Sequence, residues 1–172
     1  MNKKVVLVIA SQGYQPREYG DPKRILEDVG FEIVTVSNKY GIAQTADGGF
    51  STEVDTTVEK MNIEDYDALF FVGGPGALEH LDNEMSYTLL KKWKETGKPY
   101  GAICISPRIL AKAGVLKNKK ATGWDGDNEL SGIFGKYGVE YVKESVVVDG
   151  NIVTANGPEA AEEFGKIILQ IM

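Results

Sequence analysis

The chain has 172 residues, 42% apolar and 26% charged, ordinary proportions for a globular protein long enough to bury a core. Its formal net charge of -6 excludes the basic surface that non-specific nucleic-acid binding needs, and no apolar stretch approaches the roughly 20 residues that span a bilayer. A single cysteine allows no internal disulfide and suits a reducing compartment, so the chain reads as cytoplasmic, one domain over residues 1–172.

Lys4 to Ala10 is a continuous β-branched run, the pattern of a central parallel strand covered on both faces. It ends in Ser11-Gln12-Gly13 rather than in a small-residue cleavage site, so a buried first strand is preferred to a signal peptide. A turn-rich segment follows. Ile25, Leu26 and Val29 then keep helical spacing up to Gly30, a glycine placed as a helix stop. Phe31 to Ser37 reads as the second strand, and residues 41–53 as a hairpin or irregular excursion. Ala68 to Val72 is a third buried strand, running into Gly73-Gly74-Pro75-Gly76. Met85, Leu89, Leu90 and Trp93 give 83–96 a helical period.

Tyr100 to Ile103 forms a short strand ending at Cys104, and Pro107 opens a helix that Ile109, Leu110 and Ala113 carry to Gly114. Lys120 to Thr122 suits a short strand and Asp127 to Tyr137 a helix. Val146 to Val148 and Ile152 to Thr154 flank Asp149-Gly150-Asn151, a hairpin signal. Glu159 to Ile171 closes the chain as a helix with Phe164, Ile167, Ile168 and Ile171 inward. The β/α alternation predicts a doubly wound α/β sheet with helices on both faces.

Such sheets build sites beyond the carboxyl ends of their strands. A cysteine on a strand-to-helix turn is exposed above backbone N–H groups, which favour its thiolate. By residue type alone Cys104 reads either as that nucleophile or as a small buried apolar side chain. The turn at 73–76 has neither a Walker loop's Lys-Ser/Thr nor the full spacing of a dinucleotide fingerprint. It reads either as an oxyanion donor or as a plain tight turn. Glu18, expected in the loop after the first strand, is either a solvated glutamate or a carboxyl that meets the thiol. A protonated carboxyl there would donate to a thiolate and favour it.

These residues resemble the ThiJ/PfpI superfamily, relatives of the class I glutamine amidotransferase fold. The resemblance rests on Glu18 four residues before Pro22, on Phe71-Val72-Gly73-Gly74-Pro75-Gly76-Ala77, and on Lys98-Pro99 through Ala102-Ile103-Cys104-Ile105-Ser106-Pro107. It continues through Leu110 to Leu116, Val147 to Thr154, Asn156-Gly157-Pro158 and Glu163-Phe164. It implies a flavodoxin-like three-layer sandwich with a mostly parallel sheet. It also implies Cys104 as nucleophile, Glu18 as the buried acid that contacts it, and the N–H groups of Gly74 and Ile105 as an oxyanion hole. The assembly implied is a homodimer or larger homo-oligomer.

One departure bears on activity. The protease-like branch places a histidine directly after the cysteine, where this chain has Ile105. Other members use a histidine in the loop corresponding to Thr122-Gly123-Trp124-Asp125. The one histidine here is His80. The expected function is therefore a cysteine-dependent enzyme acting on small reactive carbonyls or their protein adducts, glyoxalase- or deglycase-like, through a Cys104 thiolate assisted by Glu18. A PfpI-type peptidase or amidohydrolase, acting on peptide or protein, is the second reading and requires His80 to reach Cys104. A redox-responsive stress protein or chaperone is the third. Tyr14, Tyr19 and Trp124 are expected either as an aromatic pocket wall or as ordinary packing. No metal, cofactor, nucleic acid or membrane is called for.

Overall fold

A computed structural model describes residues 2–172. The chain runs β1 (Lys4–Ile9), α1 (Pro16–Asp28), β2 (Glu32–Ser37), the hairpin β3 (Gly41–Gln44) and β4 (Ser51–Val54), β5 (Thr56–Thr57), and β6 (Ala68–Phe71). It continues with α2 (Ala77–Leu81), α3 (Glu84–Glu95), β7 (Tyr100–Ile103), α4 (Pro107–Lys112), β8 (Lys120–Ala121) and α5 (Leu130–Lys136). The last elements are β9 (Glu140–Tyr141), β10 (Val146–Asp149), β11 (Ile152–Ala155) and α6 (Ala161–Ile171).

The central sheet has seven strands in the order β10-β11-β7-β6-β1-β2-β5. All neighbours pair in parallel except the β10–β11 edge hairpin. One row of the register joins Thr35, Leu7, Phe70, Gly101 and Val153 across β2, β1, β6, β7 and β11. Successive strand residues face opposite sides, so each central strand feeds two cores. Val6, Val8, Leu69 and Phe71 pack with Leu90 and Trp93 of α3, Ile109 and Leu110 of α4, and Phe134 of α5. Val5, Leu7, Ile9 and Phe70 pack with Leu26 of α1 and with Phe164 and Ile168 of α6. Burial on both faces explains why β1 and β6 are unbroken apolar runs. The architecture is the α/β sandwich with a mostly parallel sheet that the alternation of elements predicts.

Two boundaries differ from expectation, both near the site. α1 begins at Pro16, so Glu18 lies in the first helical turn rather than in a loop. Gln15 caps this end: its side chain accepts from the N–H groups of Arg17 and Glu18. Pro16 supplies the preset φ of a first helical position. The helix expected from Asp127 begins at Leu130, because Asp127 is held by Arg108. Among the described residues no helix is long and apolar enough to cross a membrane.

Candidate active site

Four adjacent strands, β11, β7, β6 and β1, bring their carboxyl-end segments together above one edge of the sheet. β7 delivers Cys104 and β6 delivers Gly73 and Gly74. The segment after β1 delivers Gln15 and, one turn into α1, Glu18. Between them lies a mostly apolar cleft of about 420 Å³, lined by Gln15, Gly74, Pro75, Leu78, Cys104, Ile105, Trp124 and Pro158.

Cys104 has φ +64°, a left-handed conformation that costs a non-glycine residue about 1–3 kcal/mol and persists only when its surroundings fix it. Its N–H donates to Ala155 O at 2.9 Å and its carbonyl accepts from Trp124 N–H at 2.7 Å. Ser106 Oγ, fully buried, donates to Val72 O at 2.7 Å and ties the turn to the end of β6. The strained turn thus holds the thiol over the start of α4, with the backbone N–H groups of Ile105 and Gly74 donating towards its sulfur.

Glu18 is completely buried. Its Oε2 accepts from Gly73 N–H at 2.9 Å. Oε1 is buried with no conventional hydrogen-bond partner among the described residues, and the Cys104 side chain is set against this carboxyl. A Cβ on Gly73 would lie 2.6 Å from both Cys104 Cβ and Glu18 Oε2. Only glycine lets the thiol and the carboxyl close this tightly around the backbone.

Burial is the largest influence on both groups. It raises Glu18 to about 7, against smaller lowering by Cys104 and Gly73 N–H. It pushes the Cys104 thiol up to about 12, with the Glu18 charge adding to the rise and the Ile105 and Gly74 N–H groups opposing it. Beside a charged Glu18, burial and repulsion raise the thiol more than the turn's donors lower it. Between about pH 7 and 12 the pair keeps one proton, and its two steps belong to the pair rather than to either residue.

Of the expected pocket wall, Trp124 lines the cleft and is 38% exposed. Tyr14 and Tyr19 do not. They are buried in the core under α1 and α6, stacked edge to face at 5.7 Å, and Tyr19 Oη is 2.7 Å from Thr35 Oγ1. Both tyrosines border a separate cavity of about 370 Å³ with Arg17, Asp21 and Phe50 instead. His80 lies on α2 with Nε2 4.0 Å from Glu79 Oε1, and it does not line the cleft.

Sequence reading missed Gln15 and the support under Trp124. Arg108 is buried and grips Asp127 with Nη1 at 3.0 Å and Nη2 at 2.7 Å. Its Nη2 also donates to Trp124 O at 3.2 Å, and its guanidinium lies 5.6 Å from the Trp124 ring. The only signal was an arginine one residue into a helix that otherwise reads as apolar. Among the described residues no group of three His, Cys, Asp or Glu could hold a metal ion.

The profile of the DJ-1/PfpI family matches residues 3–171. A protein from Methanocaldococcus jannaschii is 36% identical over 170 residues, which span 98% of this chain and 82% of that one. A Pyrococcus horikoshii protein named as a deglycase is 35% identical over 155 residues, 89% of this chain and 90% of its own. The crystal structure of a ThiJ/PfpI domain protein from Brachyspira murdochii superimposes with a TM-score of 0.92 at 28% identity, covering 99% of this chain and 97% of the other. With the strained cysteine turn, the glycine donors and the buried glutamate on a matching fold, this chain belongs to the DJ-1/PfpI family.

Proposed function

We propose that the protein is a cysteine-dependent enzyme acting on small reactive carbonyls or their adducts, in the manner of a glyoxalase or deglycase. The observation that carries this reading is the Cys104–Glu18 pair closed around Gly73, with no histidine lining the cleft. The deglycase name of the Pyrococcus horikoshii relative points the same way.

In the singly protonated pair the reactive arrangement is a thiolate beside a carboxylic acid. Glu18 Oε2 is engaged by Gly73 N–H, so Oε1 carries the proton and donates towards sulfur. The thiolate attacks an aldehyde carbon, forming the S–C bond as the C=O π electrons move to oxygen. That oxygen becomes an oxyanion, held by the N–H groups of Gly74 and Ile105. Transfer of the Glu18 proton to it gives a neutral hemithioacetal. In a 1,2-dicarbonyl, Glu18, now a carboxylate, takes the proton from the sulfur-bearing carbon, and the electrons pass to the neighbouring carbonyl as an enediolate. Reprotonation at that neighbouring carbon by Glu18, with the hydroxyl proton on the sulfur-bearing carbon passing to the neighbouring oxygen, gives a thioester. Water then releases a 2-hydroxy acid and restores the thiol, with no external oxidant or reductant.

The test is formation of lactate from methylglyoxal by wild type and by Cys104→Ala. Turnover confined to the wild type is expected, and equal rates in both would overturn the reading.

A further inference from the structure

Gln15 is an unusual cap. Helix N-caps favour Ser, Thr, Asn and Asp, whose short side chains reach back to the first turn. Here a longer glutamine does the work: Oε1 accepts from Arg17 N–H at 2.6 Å and Glu18 N–H at 3.2 Å. Its own backbone N–H donates to Gly73 O at 3.1 Å. Because both capping partners are donors, the amide can only point its oxygen at them, which fixes Nε2 on the other side. Nε2 has no protein partner among the described residues, and Gln15 lines the cleft with Cys104. A donor pair is thus left without a capping role beside the cleft, three residues before Glu18 in the chain.

The cleft's other polar resources are already committed. The Arg108 guanidinium does not line the cleft, and its charge is paired with Asp127. Leu78, Pro75, Ile105 and Pro158 supply apolar surface. With the Gly74 and Ile105 N–H groups assigned to the reacting oxygen, one further neutral donor among apolar walls suits a neutral ligand with a second acceptor beside the reacting carbon.

We infer that Gln15 Nε2 is a substrate-binding group, donating to the second carbonyl oxygen of a neutral 1,2-dicarbonyl while Cys104 attacks the aldehyde carbon. The inference rests on the carbonyl chemistry proposed above and adds the residue that recognises the second carbonyl. Because the donor holds the second oxygen both before and during attack, it contributes to binding in the ground and transition states alike, and its loss appears in KM rather than kcat.

The test uses the full chain, methylglyoxal and two variants that keep the cap. Gln15→Glu has the same reach but replaces the donor pair with an acceptor. Gln15→Asn leaves charge unchanged, caps well and withdraws the amide from the cleft. Expected in both is a KM for methylglyoxal raised about tenfold with kcat within about threefold, at unchanged Tm. Unchanged KM in both variants overturns the inference. So does a rise in Gln15→Glu alone, which assigns the effect to charge, or a fall in kcat alone, which assigns Gln15 to placing Glu18. A wild type without turnover overturns the carbonyl reading itself and this inference with it, whereas an active wild type with indifferent variants overturns this inference only.

Discussion

Glu18 and Cys104 meet across Gly73: the carboxyl takes the glycine's N–H at 2.9 Å, and the position where a side chain would begin lies 2.6 Å from both partners. A carboxyl from the first turn of α1 and a thiol from the end of β7 are thereby pressed into one buried unit, and this contact shifts the protonation of both.

The first consequence concerns Gly73 itself. In Gly73→Ala the added methyl must displace Cys104 Cβ or the Glu18 carboxyl, both on fixed backbone. The variant is expected to lose about 1–3 kcal/mol of stability and most activity. Urea unfolding together with the alkylation rate of Cys104 checks this. Full stability with full activity would show that the two groups are less tightly apposed.

The second concerns stability and pH. Glu18 is raised by burial to about 7 in the folded chain, against 4.5 for an ordinary glutamate. The folded state therefore binds the proton more tightly than the unfolded state. The stabilisation is fully present below about pH 4.5 and is lost as pH rises through about 7. Its size is on the order of 3 kcal/mol. Glu18→Gln cannot ionise, and its amide still accepts from Gly73 N–H. Urea unfolding at pH 5 and pH 8 is expected to show a marked loss for wild type and little for the variant, leaving Glu18→Gln the more stable at pH 8.

The third concerns thiol reactivity. In wild type the pair gives up its first proton near pH 7 and its second near pH 12, so iodoacetamide alkylation of Cys104 is expected to rise in two steps. In Glu18→Gln the repulsion from a charged carboxylate is gone. One step, below the alkaline step of wild type, is expected. Identical profiles in the two proteins would uncouple the groups.

Much of this was legible in the sequence, for reasons that can be stated residue by residue. β1, β6 and β7 announce themselves because strands buried on both faces must be apolar throughout. The β10–β11 hairpin is marked by Asp149-Gly150, where Gly150 takes φ +64°. Cys104 was placeable because a strand, a turn and a proline-started helix follow one another without interruption, whereas Gly74 and Ile105 as donors came from the family resemblance. α1 was hidden at its start: Gly20 and Pro22 weaken the helical signal. Pro22 is tolerated there partly because Gly165 of α6 lets the two helices approach, a Cβ on that glycine lying 2.9 Å from Pro22 Cα. Tyr14 and Tyr19 border a neighbouring cavity rather than the Cys104 cleft, because the direction in which the chain leaves β1 depends on tertiary packing. The Arg108–Asp127 clamp joins residues 19 apart in sequence, and no local pattern encodes it.

That clamp supports a fourth prediction. Asp127→Ala leaves the buried Arg108 guanidinium without its carboxylate. Because Asp127 is itself partly exposed, a modest loss of stability is expected, with the Trp124 loop loosened over the cleft. A lower Tm and a red shift of tryptophan emission are expected, Trp93 being fully buried and so a constant background. Unchanged emission would mean that backbone bonds to Cys104 hold the loop alone.

The central claim, that Cys104 works with Glu18 and without a histidine, is tested most directly by initial rates of methylglyoxal consumption in three single variants. Cys104→Ala is expected to fall at least about a thousandfold, the scale of losing a nucleophile, and Glu18→Gln at least about a hundredfold, the scale of losing a general acid. His80→Ala is expected to match wild type. A Cys104→Ala protein as active as wild type, or a His80→Ala protein as inactive as Cys104→Ala, would contradict the account.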